Sequence, residues 1–170
     1  MKKVVILIVF CCIMFSISGC SVKKTEKLTD AEKFANEYSI SEENPFQYVT
    51  TDEVLELVKS KSGILFLGDS DSEWSSFGVE ILNKVVNEMK IDKVYYFNPN
   101  KLKNKEDNDY EQVIDLLQLE EDSSLPIVYV YEKGKIIDQV DYPVHDDSSI
   151  NDDFKKQLED EYLDLLSLYL

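Results

Sequence analysis

All three cysteines of this chain, Cys11, Cys12 and Cys20, lie within its first 20 residues. Whatever the remaining 150 residues fold into must hold together without an internal disulfide. A hydrophobic core has to do that work, and the supply is ordinary for a globular chain at 44% apolar residues. After a leader and a tether are set aside, the length suits one domain. Charge narrows the partners. The net charge is −16, with every cation a lysine, and past Cys20 there are 16 Lys against 34 acids, or −18. Such a body repels phosphate backbones and anionic headgroups, which argues against nucleic acid and against a basic membrane-binding face. Much of the acidity reads simply as a solvated surface.

The first 19 residues read as a leader. Lys2-Lys3 gives a short positive start, and Val4 to Ile17 is an apolar run near the usual signal-peptide length of about 7–15 residues. A membrane-crossing helix needs roughly 20. The run ends at Ile17-Ser18-Gly19-Cys20, which resembles the lipobox of bacterial lipoproteins. There the cysteine sulfur takes a diacylglycerol group and the chain is cut before it. The resemblance implies a signal peptide over 1–19 and lipid (palmitate-type acyl chains) on Cys20. Two chains are about the minimum for durable anchoring. A polar, Lys-rich stretch to Leu28 is then a tether over 20–28, and 29–170 is the folded domain. The expected address is the outer face of the cytoplasmic membrane, or an outer membrane where the cell has one.

Along the domain, Thr29 or Asp30 caps a helix through Tyr38, with Phe34 and Tyr38 on one face. Phe46 to Val49 is a short strand, and Thr51 caps a helix over 52–60 with Val54, Leu55 and Val58 inward. Ile64 to Leu67 is a continuous apolar run of the kind a buried central strand shows. After the polar loop Gly68 to Ser72, apolar residues from Phe77 to Met89 recur at helical spacing over 73–90. Strand Val94–Phe97, the break Asn98-Pro99-Asn100, a charged loop Lys101–Asp109 and a short helix from Tyr110 follow. Pro126 precedes strand Ile127–Tyr131, Lys133-Gly134 turns the chain into Lys135–Val140, and a final amphipathic helix carries Phe154, Leu158, Tyr162, Leu165 and Leu166. The order predicts an α/β fold: a central sheet of mixed direction covered by helices on both faces.

Gly63-Ile-Leu-Phe-Leu-Gly68, a loop, a helix, then Leu125-Pro126-Ile-Val-Tyr-Val-Tyr-Glu-Lys-Gly134-Lys135 resembles the thioredoxin superfamily. More narrowly, Glu43-Asn44-Pro45-Phe46, Tyr95-Tyr96-Phe97-Asn98 and the helix at Tyr110 resemble small thioredoxin-like lipoproteins and bacteriocin-transport accessory proteins of Gram-positive bacteria. The likeness runs over residues 44 to 140. Redox-active relatives carry Cys-x-Trp-Cys or Cys-x-Tyr-Cys just after the central strand; here that position reads Ser72-Glu73-Trp74-Ser75. The resemblance therefore implies a degenerate active-site turn. A thiol at a helix N-terminus becomes a thiolate nucleophile, whereas a serine hydroxyl does not ionise usefully and forms no disulfide. By the same resemblance Pro126 is the family's cis-proline, and a partner's extended strand would pair beside Leu125 through backbone groups.

Other constellations carry less. Ser72 as a holder of a borrowed small thiol stands against Ser72 as a plain N-cap. Asp69-Ser70-Asp71-Ser72-Glu73 alternates carboxylates but lacks the glycine and distal Glu of a Ca²⁺ loop, so it reads as an acidic turn. His145, the only histidine, reads as a surface-loop residue between acids. Trp74 either packs over the sheet or stands out as an interaction anchor. Tyr95, Tyr96, Tyr129 and Tyr131 read as packing residues. No metal or cofactor is expected. The function expected is a redox-inactive, membrane-anchored accessory protein that binds a protein or peptide through Trp74, Leu125 and Pro126. The alternatives are a thiol-dependent enzyme using a borrowed small thiol, or a degenerate paralogue with a structural role in an assembly. Mass spectrometry of the mature amino terminus should find diacylated Cys20; an unmodified thiol there, or an uncleaved leader, refutes the anchor.

Overall fold

Two threonine caps begin the folded chain. The computed structural model describes residues 27–102, 108–117, 119, 124–141 and 151–170, with the backbone alone at 108–110. Cys20, the leader, most of the tether and of the 101–109 loop, and His145 lie outside the described residues. Helix α1 (Asp30–Tyr38) is capped by Thr29, whose hydroxyl accepts from the Glu32 N–H at 3.2 Å while the Glu32 carboxylate accepts from the Thr29 N–H at 2.6 Å. The same reciprocal box, Thr50 with Glu53, starts α2 (Thr51–Ser60). The cap is therefore Thr50 and not Thr51. The reason is spacing, since only Thr50 has a Glu three residues on. That register also turns Leu57 inward with Val54 and Val58, and leaves Leu55 at the margin.

The strands are β1 (Phe46–Tyr48), β2 (Gly63–Leu67), β3 (Val94–Phe97), β4 (Ile127–Glu132) and β5 (Lys135–Asp141). Between them run α3 (Glu73–Glu88), a 3₁₀ turn over Pro99–Lys101, and α4 (Asn108–Leu117); α5 (Asp152–Ser167) closes the chain. The sheet order is β1-β3-β2-β4-β5. Strands β1, β3 and β2 are parallel, β4 lies antiparallel to β2, and β5 antiparallel to β4. This mixed five-stranded sheet between helices is a thioredoxin-like α/β fold.

Alternation along the strands makes two cores. Ile64, Phe66, Val94, Tyr96, Val128 and Val130 face one side, where α1, α3 and α5 cover them. Leu65, Leu67, Phe97, Ile127, Tyr129 and Tyr131 face the other, under α2 and α4. All five residues of β2 are buried, which is why its sequence shows no polar alternation. Among the described residues, no helix is long and apolar enough to cross a membrane.

The β4–β5 hairpin is pinned to α2. Lys133 and Gly134 both have positive φ (51° and 79°), as a two-residue primed turn requires. The Gly134 N–H donates to the Lys61 carbonyl at 2.9 Å. A Cβ at Gly134 would stand 2.3 Å from the Lys59 carbonyl oxygen, which is backbone and cannot swing away. Gly134→Ala should cost about 2–4 kcal/mol from left-handed strain plus the clash, read as a lowered urea midpoint with an unchanged m-value.

Candidate functional site

The carboxyl ends of the three parallel strands converge where β2 hands over to α3. This is the end of an open α/β sheet at which sites usually form. Gly68 to Ser72 makes the turn, and Ser72 caps α3: its hydroxyl accepts from the Ser75 N–H at 3.3 Å. Ser75 is fully buried, and its hydroxyl accepts from the Asp69 N–H at 3.0 Å. The Ser72 N–H in turn donates to the Asp69 carbonyl at 2.9 Å. Both serine oxygens are thus engaged inside the turn they build. Glu73 is exposed at the positive end of the helix, where a carboxylate is favoured.

Asp69 ties this turn to the segment after β3. Its carboxylate accepts from Asn100 Nδ2 at 2.6 Å, Asn98 Nδ2 at 3.2 Å and the Asp71 N–H at 3.2 Å. Partial burial pushes its pKa up, but hydrogen bonds from Asn100, Asp71 and Asn98, with the Lys101 charge, outweigh that and hold it below the usual value. These are amide donors rather than a cation's place. Among the described residues no group of three or more His, Cys, Asp or Glu is arranged to hold a metal ion.

A second carboxylate, outside the candidate residues of the sequence, anchors the other flank. Glu37, on the last turn of α1, accepts hydrogen bonds from the Tyr48 hydroxyl, the Tyr96 hydroxyl (2.9 Å) and Lys101 Nζ (3.0 Å). Tyr38 donates to the Tyr96 oxygen at 3.1 Å. Burial pushes the Glu37 pKa up, yet hydrogen bonds from Tyr48, Lys101, Ser70 and Tyr96 bring it below the usual carboxylate value. Burial and the neighbouring Glu37 push all three phenols far above their usual range, so they stay protonated as donors. Tyr96 is a packing residue by its ring, as expected, and a network residue by its hydroxyl. The one legible sign was an acid beside Tyr38 at the edge of α1's apolar face.

The residues expected to bind a peptide fall on two sides. The Trp74 ring is half-buried, edge-on to Phe154 at 5.9 Å and to Phe77 at 6.4 Å, so it packs where α3 meets α5. The Leu125 side chain packs into the opposite core with α2 and α4. Pro126 is buried and the Leu125–Pro126 bond is cis. Pairing of Leu67 with Ile127 carries Gly68 to a place across from Pro126, so the proline adjoins the serine turn. No protein-family model matches the chain, and no curated protein is significantly similar to it.

Because Glu37 titrates lower in the folded state, its contribution is complete above the unfolded Glu value of 4.5 and is lost as pH falls through the lower folded one. Glu37→Gln should therefore lower stability by about 1–3 kcal/mol at pH 7, with the gap to wild type closing in urea titrations below pH 4.5.

Proposed function

We propose that this chain is a lipid-anchored, extracytoplasmic lipoprotein of the thioredoxin-like kind that holds a protein or peptide partner and passes no electrons. One observation carries the reading. At the start of α3, where the redox-active relatives it resembles carry two thiols, the chain has Ser72 and Ser75, and both hydroxyls are spent as acceptors within the turn. A serine hydroxyl does not ionise usefully at a helix N-terminus as a thiol does, and oxygen cannot take part in disulfide exchange.

Binding needs less than catalysis does. An extended partner strand would pair with backbone groups beside Leu125, next to the buried cis-proline and the serine turn, without any reactive side chain. Asp69 ties that turn to Asn100, and Glu37 holds it through Ser70, so the surface is held ready in advance, which reduces the ordering cost of association. The two lowered carboxylates also add to the negative character of this end of the domain.

The test uses the full-length protein in non-ionic detergent. Insulin disulfide reduction should match buffer alone, with or without added glutathione. An acceleration by glutathione that disappears in Ser72→Ala would establish thiol chemistry and refute the reading. In membranes, a photo-crosslinking residue in place of the exposed Glu73 should give a discrete adduct. Absence of any adduct, with turn variants indistinguishable from wild type in the cell, argues for a purely structural role instead.

A further inference from the structure

Strand β5 is the longer of the two open edges of the sheet, and a groove of about 560 Å³ runs between it and α5. As the last strand, β5 hydrogen-bonds only to β4 among the described residues, so its outer N–H and C=O groups have no strand partner there. The floor is apolar, from Val140, Leu158 and Leu165. Leu168, a large apolar side chain on its lining, is held open at 53% exposed.

The polar lining has one sign. Asp138, Asp141, Glu161 and Asp164 line the groove, and among the described residues no lysine does. None of the ion pairs among the described residues involves these four. The side-chain hydrogen bonds of Asp138 and Glu161 come from neutral donors, the Gln139 N–H at 2.9 Å and Gln157 Nε2 at 2.8 Å. Elsewhere on the surface the same chemistry is paired off: Glu80 with Lys155, Glu159 with Lys84.

We infer that this groove takes an extended, cationic segment of a partner protein, added as a sixth strand along β5. Alternate side chains of such a strand point to opposite faces, so apolar residues would rest on Val140 and Leu165 while Lys or Arg met the acids. Charge complementarity selects this occupant over the others. A second copy, at net −16, would bring acids against acids. The segment joining β5 to α5 adds Asp146 and Asp147 and no lysine. The Lys-rich tether of this chain enters beside Asn44 and Phe46, at the β1 edge. Four strand spacings, about 19 Å, separate that edge from β5. Residues 21–28 span about 26 Å fully extended, so reaching the groove would use most of their length before any of it could lie along the strand. The site is separate from the turn at Ser72 and does not depend on it.

The experiment measures binding of the full-length protein in non-ionic detergent to a labelled eight-residue peptide of alternating Lys and Val. Peptides alternating Glu with Val, and Lys with Gly, serve as comparisons. The Lys–Val peptide should bind at least tenfold more tightly than either, and should slow amide hydrogen exchange across residues 135–141. The quadruple variant D138N/D141N/E161Q/D164N removes like charges and so has no reason to unfold; it should lose at least tenfold in affinity. E42Q/E43Q/D92N/E111Q, with the same net charge but acids removed elsewhere, should stay within twofold of wild type. Equal loss in both variants reduces the effect to net charge and overturns the proposal, as does binding of the Glu–Val peptide. Protection confined to residues 68–75, or a dimer that the groove variant dissolves, also overturns it. Turn variants leave this binding unchanged, so failure here and failure of the partner-holding role at the turn are read separately.

Discussion

Everything in this domain hangs on β2 being buried on both faces and paired on both edges. Ile64, Leu65, Phe66 and Leu67 are wholly removed from solvent, and each such side chain contributes about 1.5–3 kcal/mol of transfer free energy. With no cysteine beyond residue 20, no crosslink can substitute for that burial. A strand of this kind must be roofed twice, which fixes the layering: α1, α3 and α5 above, α2 and α4 below. It also fixes where the polar groups go. The backbone leaves β2 at Gly68, whose missing side chain gives room to the Phe66 ring and the Tyr38 hydroxyl; a Cβ there would lie 2.4 Å from the one and 2.8 Å from the other.

At that exit the chain meets an electrostatic demand: the free amides at the start of α3 want acceptors. A thiolate would answer it with a reactive charge. This chain answers with the neutral Ser72 hydroxyl, while the Ser75 hydroxyl takes the Asp69 N–H of the turn, and it keeps its charge one step away, on Asp69 and Glu37, each held ionised by neighbouring donors. The donors are mostly uncharged, from asparagines and tyrosines, with Lys101 the cation near both. The arrangement ties the turn after β2 to α1 and to the segment after β3. The tyrosines, pushed upward, keep their protons near neutral pH, and the two carboxylates, held low, stay ionised as acceptors.

What the sequence discloses follows how local the cause is. Helix periodicity, the apolar run of β2 and the Lys133-Gly134 turn are local patterns, and the elements stand where those patterns place them, within a residue or two. The capping of α2 was equally local, but the Thr50-to-Glu53 spacing had to be preferred over the nearer Thr51. Trp74 was undecided because its fate depends on Phe154, eighty residues away, whose ring it meets edge-on. The role of Glu37 is hidden for the same reason, beyond its place beside Tyr38: its partners lie 11, 59 and 64 residues off. The acidic run at Asp69 read as a solvated turn, and for Asp71 and Glu73 it is exposed. Asp69 differs only because Asn98 and Asn100 arrive from β3 with amide donors, a match that no spacing announces.

The two edges of the sheet show how one composition serves different ends. An open strand edge invites pairing with another copy, and proteins discourage this with short edges or with charge. Strand β1 is only three residues long and lies against α1, so its edge offers little. Strand β5 runs seven residues and is guarded by charge instead. Beyond Lys135 at its start, that guard is of one sign along the groove, and so it is a selector as well. Carboxylates along β5 and α5 repel every other copy of this acidic chain, and the same field draws a strand of opposite sign toward an apolar floor. Had the guard been mixed Lys and Glu, it would have blocked self-pairing through desolvation alone and favoured no partner. The bias of 34 acids over 18 lysines, which by itself says only that the surface is solvated and net negative, becomes specific once the fold concentrates four acids, none ion-paired among the described residues, along one open edge.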